Sequence, residues 1–311
     1  MKISIIGAGN VGGLTAMRLA EAGVGDIVLM DISKGLAEGK VSDLEDSAPF
    51  LKRNYPIQGT DDIKQIQGSG IIVITAGLAR KPGMSREDLL NKNAQIIKDI
   101  CLNIKDLSAQ AIVIVVTNPL DLLTYLVLKI TGFKLHKVFG MGASLDTARF
   151  TNLISKELNI PNTDIDACVI GSHGEGMLPL PRFTNIRGVK LDELLDDKKI
   201  EFLVKKTRER GQEIVSLLGN GSAYFAPSQA IATIIKTMLK DEKRTINVSA
   251  YLNGEYGVKN TCIGVPCCIG RNGIEKILEL DLNEEERNVF FKSCECIYKN
   301  LELLIPFWHG L

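Results

Sequence analysis

The run Gly7-Ala8-Gly9-Asn10-Val11-Gly12 constrains this chain more than any other stretch of it. It follows an apolar segment, Ile3–Ile6, and opens onto a helical pattern over Val11–Ala22. A second apolar segment, Ile27–Met30, then ends at Asp31. The spacing G-x-G-x-x-G has a separate use for each glycine. Gly7 permits a tight turn out of a strand, Gly9 lets a pyrophosphate approach the backbone, and Gly12 lets the helix pack closely on the strand. The helix start offers unpaired N–H groups and the positive end of its dipole to phosphate oxygens. Asp31 lies nineteen residues beyond Gly12, close to the ~20 at which a carboxylate takes a ribose 2′-hydroxyl. A carboxylate there repels a 2′-phosphate, and no arginine follows it directly, so NAD rather than NADP is expected. Gly7, Ala8, Gly9, Asn10, Val11, Gly12 and Asp31 are the candidate cofactor residues. A glycine-rich turn that binds no nucleotide is the competing reading, and it leaves Asp31 in register with the glycines unexplained.

The alternation continues beyond this unit. Ile71–Thr75, Ile112–Val116 and Val138–Phe139 read as short β-branched strands, with helices over Ser85–Leu107 and Leu120–Ile130. Strands apolar on both faces, alternating with helices, predict a parallel sheet covered on both sides. The fold class is therefore α/β, with an N-terminal Rossmann doubly wound sheet. Past residue 143 the rhythm changes. A helix over Ser144–Leu158 leads into a strand within Asp166–Gly171 and a stretch dense in Gly and Pro. Helices over Glu201–Leu218 and Pro227–Leu239, strands over Ile246–Leu252 and Cys262–Ile269, and a last helix near Asn283–Leu304 follow. The 311 residues divide into an NAD-binding domain, 1–143, and a mixed α+β substrate domain, 144–311.

Composition narrows the partners. The 37 basic residues equal the 37 acidic ones, and aromatics are 5% of the chain. Neither a general nucleic-acid footprint nor a base-stacking platform is expected. The longest apolar stretches fall far short of the ~20 residues of a membrane span, and the N-terminus runs directly into strand sequence, so a cytoplasmic protein without a signal peptide is expected. Seven cysteines are an odd number, several among apolar neighbours, as for reduced thiols. Cys267-Cys268 and Cys294-x-Cys296 lack zinc-ligand spacing, and no metal is expected.

Hydride chemistry on an alcohol needs a group that exchanges a proton near neutral pH, and histidine is the natural choice. The chain has three: His136, His173 and His309. His173 follows a strand candidate amid small residues, Gly171-Ser172-His173-Gly174-Glu175-Gly176, where a substrate could come close. A hydrogen-bonded structural histidine fits the same pattern. Asp146 and Arg149 share a helix face, either as an i,i+3 ion pair or with separate tasks. In the second case Asp146 orients a histidine and Arg149 grips a carboxylate. Arg80, Lys81 and Arg86 lie in a loop after Ile71–Thr75, at the carboxyl end of a strand where open sheets bind ligands. A solvated basic loop is the alternative. Asn118 ends the next long strand on the same side.

Taken together, Gly7-x-Gly9-x-x-Gly12, Asp31, Thr117-Asn118-Pro119-Leu120-Asp121, Leu145-Asp146-Thr147-Ala148-Arg149-Phe150 and His173-Gly174 resemble the lactate/malate dehydrogenase family along essentially the whole chain. The lactate-dehydrogenase-like malate enzymes of bacteria are the most similar branch. The resemblance implies that His173 is the catalytic acid/base, Asp146 its partner and Arg149 the ligand of the substrate's C1 carboxylate. It implies that Arg86 polarises the reacting carbonyl, that Asn118 binds substrate beside the nicotinamide, and that Asn93, Val116 and Asn118 contact the cofactor. Arg80 falls on the family's substrate-selecting position, where Arg goes with malate or oxaloacetate and Gln with lactate or pyruvate. Reversible NAD-dependent oxidation of malate by a homodimer or homotetramer is thus expected. Lactate dehydrogenation is the alternative within enzymes, and a non-catalytic dinucleotide sensor the alternative outside them. The chain departs from the family in Glu175, where Asp is usual, in Leu78-Ala79, where Val-Pro is common, and in an apolar tail, Ile305–His309. Such a tail covers a subunit interface or packs on its own domain.

Overall fold

The computed structural model describes residues 1–79, 85–219 and 221–310, and for Arg86 the backbone. Its first half runs β1 (Lys2–Ile6), α1 (Asn10–Glu21), β2 (Asp26–Met30), α2 (Leu36–Ser47), β3 (Ile57–Thr60), β4 (Ile71–Ile74), α3 (Arg86–Leu107), β5 (Ile112–Val115), α4 (Leu120–Thr131) and β6 (Val138–Gly140). The second half runs α5 (Gly142–Leu158), β7 (Ile165–Asp166), β8 (Val169–Gly171), β9 (Met177–Pro179), β10 (Asn185–Ile186), β11 (Val189–Lys190) and α6 (Leu191–Leu194). It continues with α7 (Asp197–Leu218), α8 (Phe225–Lys240), β12 (Arg244–Asn253), β13 (Lys259–Gly270), β14 (Gly273–Ile277), α9 (Glu284–Leu301) and α10 (Ile305–Trp308).

The parallel strands stand in the order β3-β2-β1-β4-β5-β6. The order reverses between β1 and β4, so their carboxyl ends open the crevice in which doubly wound sheets bind ligands. β4 and β5 are buried along their whole length, which is why their sequences read IIVI and IVIV without alternation. The long antiparallel pair β12–β13 extends this sheet, with Ser249 of β12 opposite Gly140 of β6. β8, β9 and β14 complete it, while β7, β10 and β11 form a small separate sheet. A second apolar cluster around Phe150, Ile154 and Leu203 lies beneath α5 and α7. Arg18 fastens α1 to α8, donating to Ser228 Oγ at 3.0 Å and Gln229 Oε1 at 2.8 Å.

Local chemistry sets the helix ends. Ser85 and Asp88 form a capping box at α3, and Asn283 and Glu286 form one at α9. Several elements differ from expectation. α2 and β3 were not foreseen, and the strand expected within Asp166–Gly171 divides into β7 and β8, which join different sheets. The stretch rich in Gly and Pro contains β9, β10 and β11. The apolar tail forms α10, which packs on α4 with the Trp308 ring edge-on to Tyr125, centroids 5.8 Å apart.

Candidate active site

The glycine-rich turn joins β1 to α1 at the switch point of the sheet. Gly7 has φ +109°, and a Cβ there would lie 2.5 Å from the Ala76 backbone nitrogen at the end of β4. A Cβ on Gly12 would fall 1.8 Å from Gly7 O. One on Gly9 would meet no described atom within 4 Å. Two glycines are thus fixed by packing, whereas the third leaves its outer face open to a ligand. Gly9 is also the N-cap of α1 and supplies no side-chain cap to the N–H groups of the first turn. These groups fit a dinucleotide pyrophosphate. Asp31, at the end of β2, accepts the Ala8 N–H at 2.7 Å with Oδ2 and the Ser33 N–H at 2.9 Å with Oδ1. Its carboxylate is thereby held against the glycine turn, with lone pairs left for ribose hydroxyls. Asn10 starts α1, and Val11 packs its side chain on the core.

The loops beyond β4 and β5 are sewn together. Thr75 donates to Gly7 O at 2.9 Å, and Thr117 donates to Ala76 O at 2.7 Å. Val116 is half-buried and Asn118 exposed at the end of β5. Asn93 on α3 is fully buried. Its Oδ1 accepts Leu78 N–H at 2.8 Å, and its Nδ2 donates to Leu78 O at 3.2 Å and Asn118 O at 2.7 Å. Here Asn93 braces the two loops with all three of these bonds.

Of the three histidines, His173 faces a buried carboxylate. Its Nδ1 lies 2.7 Å from Asp146 Oδ2, while Asp146 Oδ1 accepts from Arg149 Nη1 at 3.2 Å. Asp146 is 1% exposed, and the His173 and Arg149 side chains 15% and 12%. The ion-pair reading of the Asp146–Arg149 spacing therefore holds, and the same carboxylate also contacts the imidazole, orienting the ring while anchoring the guanidinium. Burial works against the imidazolium, but the charge and hydrogen bond of Asp146, with the charge of Asp121, outweigh it and raise the His173 pKa; Arg149 opposes them. Burial lowers the Arg149 pKa, and Asp146 counters it. His136 lies in the short turn Leu135–Lys137, its pKa lowered by burial and by Lys134 and Lys137, and His309 is exposed near the C-terminus.

Arg80 and Lys81 lie outside the described residues, as does the side chain of Arg86, whose backbone opens α3. Among the described residues no group of His, Cys, Asp and Glu could hold a metal ion, and no helix is long and apolar enough to cross a membrane.

Four residues at the site have roles that the sequence alone does not reveal. Gly142, at the start of α5, leaves room for His173: a Cβ there would lie 2.8 Å from His173 Cβ. Lys40 on α2 donates to Gly9 O at 3.2 Å, placing a cation beside the glycine turn. Asp121 accepts the His173 backbone N–H at 2.8 Å with Oδ2 and the Ser249 hydroxyl at 2.6 Å with Oδ1. Asp121 lies within the Thr117–Asp121 motif, whereas Lys40 and Ser249 carry no signal in sequence.

Comparison with known proteins extends along the chain. Residues 1–140 match the family described as lactate/malate dehydrogenase, NAD binding domain, and residues 143–307 match the lactate/malate dehydrogenase, alpha/beta C-terminal domain. The sequence is 48% identical over 304 residues to a malate dehydrogenase of Methanosarcina mazei, across 98% of this chain and 99% of the relative. The fold matches a malate dehydrogenase from Picrophilus torridus with a TM-score of 0.95 at 43% identity, covering 99% of this chain and 98% of that one. It matches a lactate dehydrogenase from Cryptosporidium parvum with a TM-score of 0.94 at 35% identity, covering 97% of each chain.

Proposed function

Because the chain belongs to the lactate/malate dehydrogenase family, we propose that it is an NAD-dependent malate dehydrogenase interconverting malate and oxaloacetate. The observation that carries this reading is the buried His173–Asp146–Arg149 constellation in a chain that is 48% identical to a malate dehydrogenase and whose residues 1–140 match an NAD-binding domain. The glycine turn and Asp31 would hold NAD, which would supply the hydride acceptor for C2 of malate and, reduced, the hydride donor in the reverse direction. The chain's residues handle the rest. With Nδ1–H committed to Asp146, Nε2 of neutral His173 takes the hydroxyl proton of malate; in reduction the imidazolium gives that proton back. The Asp146 charge favours the imidazolium that oxidation creates. Arg149, fixed through one nitrogen, keeps further N–H donors for the C1 carboxylate. Asp31 takes the ribose hydroxyls, and Asn118 binds substrate from the loop that Asn93 braces. In this reading Arg86 polarises the carbonyl and Arg80 pairs the second carboxylate. The cofactor half is residues 1–143 and the substrate half 144–311. We further place the protein in the cytoplasm, a reading supported by seven free cysteines, and infer a homodimer or homotetramer.

Initial rates with oxaloacetate and with pyruvate, each with NADH and NADPH, test the assignment. Oxaloacetate with NADH is the expected pair. Arg80→Gln should lower kcat/KM for oxaloacetate and raise it for pyruvate, whereas Lys81→Gln should do neither. Two charge-assisted bonds at ~1.5–3 kcal/mol each set the scale, roughly 10²- to 10⁴-fold. A wild type that prefers pyruvate is a lactate dehydrogenase, and the absence of NADH consumption with either substrate points to a sensor.

A further inference from the structure

Asp121 is a buried carboxylate that the proton-transfer scheme leaves unused. It lies in the first turn of α4, three residues beyond Asn118, and is 6% exposed. Its two oxygens reach two separate segments: the backbone N–H of His173, after β8, and the hydroxyl of Ser249 on β12. Ser249 is itself immobilised, because it stands opposite Gly140 where β12 joins β6. Asp121 therefore ties the Asn118 loop, the His173 loop and the centre of the sheet into one unit.

Hydrogen bonding alone does not require a carboxylate here. An asparagine could accept the His173 N–H with its oxygen and donate to Ser249 Oγ with its amide. What the aspartate adds is negative charge, and burying charge is costly without a compensating partner. Of the charged groups facing it, His173 favours the ionised form and Asp146 opposes it. Burial pushes the Asp121 carboxyl up to about 6, against the hydrogen bonds from Ser249 and the His173 backbone. Cys262 on β13 and Cys294 on α9 also face this carboxylate. Burial, then Asp121, raises both thiols, Cys294 to about 12, so both stay neutral near pH 7. Arg149 is the cation that opposes the imidazolium.

We propose that Asp121, braced by Ser249, is a positioning residue for the catalytic histidine. It fixes the backbone from which the imidazole projects and places a second negative charge behind the imidazolium that Asp146 already contacts. The inference rests on the reading of His173 as the proton-transfer group. It assigns the imidazolium two counter-charges of unequal reach: Asp146 through a direct ring contact, Asp121 through the main chain.

The test is an NMR titration of the His173 imidazole in the full-length wild type, Asp121→Asn and Ser249→Ala, alongside the pH profile of malate oxidation. With three histidines in the chain, substituting His136 and His309 assigns the signals. Asp121→Asn should lower the His173 midpoint, by less than Asp146→Asn does, move the kinetic midpoint equally and leave the KM for NAD unchanged. Ser249→Ala should move both midpoints the same way by less, since a carboxylate deprived of one hydrogen bond is less fully ionised. An unmoved His173 titration in folded Asp121→Asn overturns the inference; if that variant does not fold, an unmoved titration in Ser249→Ala does so. Failure of the underlying reading is distinct: wild-type oxidation would then not follow the His173 titration at all.

Discussion

Asp146→Asn places an amide where one carboxylate now serves two partners. The side chain is 1% exposed, so neither water nor a large rotation can relieve the mismatch. Suppose the amide oxygen faces His173 Nδ1. The imidazole keeps its tautomer, but the NH₂ group is driven against Arg149 Nη1, donor against donor. If the amide oxygen instead faces Arg149, the NH₂ group donates to Nδ1. The ring proton then moves to Nε2, which can no longer accept a proton from malate. Loss of the charge-assisted bond at His173, about 1.5–3 kcal/mol, is roughly 10- to 150-fold in rate. Loss at both partners, about 3–6 kcal/mol, is roughly 10²- to 10⁴-fold. Because the neutral amide removes the charge from both bonds whichever way it faces, the larger loss is expected for malate oxidation. The KM for malate should rise with it, as Arg149 loses its anchor. The pH midpoint should fall below the ordinary imidazole value of 6.5, since burial is no longer offset by Asp146. The KM for NAD should hold, because Asp146 lies outside the glycine turn. Steady-state rates in both directions across pH read all of these. Near-native turnover with an unmoved midpoint refutes the reasoning.

Three further substitutions separate cofactor binding from proton transfer. Asp31→Ser should weaken NADH binding roughly 10- to 150-fold and narrow the preference over NADPH, as measured by fluorescence titration. Gly142→Ala forces a Cβ to within 2.8 Å of His173 Cβ; displacement of the imidazole on the order of 1 Å should cost turnover about 10²-fold while NADH binding persists. Asn93→Ala removes three hydrogen bonds to Leu78 and Asn118. The partners it orphans cost about 1–3 kcal/mol each when buried, so a lower Tm and weaker cofactor binding should appear together.

The elements legible in the sequence are those whose residues carry the whole signal. β4 and β5 announce themselves as unbroken β-branched runs because both faces are covered. The glycine turn reads clearly because each glycine answers a local steric demand. α2 did not, since LAEGKVSDLEDS buries little beyond Ala37 and Val41 and has a glycine inside it. β3, with the sequence IQGT, is an edge strand, and β7, β10 and β11 are two residues each, too short for periodicity. The site shows the same division. Asp146 and Arg149 are visible as an i,i+3 pair, but the other partner of Asp146, His173, is 27 residues away from it. Asp121 meets Ser249 across a separation of 128 residues, a contact only the tertiary fold creates.

The central claim is that one group, His173, both accepts and donates the proton. Measuring kcat/KM against pH for malate oxidation and oxaloacetate reduction tests it most directly. Oxidation needs neutral His173, so its rate should rise with pH through the His173 pKa. Reduction needs the imidazolium and should fall through the same pKa. The two limbs should mirror each other about a common midpoint above the ordinary 6.5, because Asp146 and Asp121 together outweigh burial. Limbs that run the same way, or a midpoint below that value, would contradict the account.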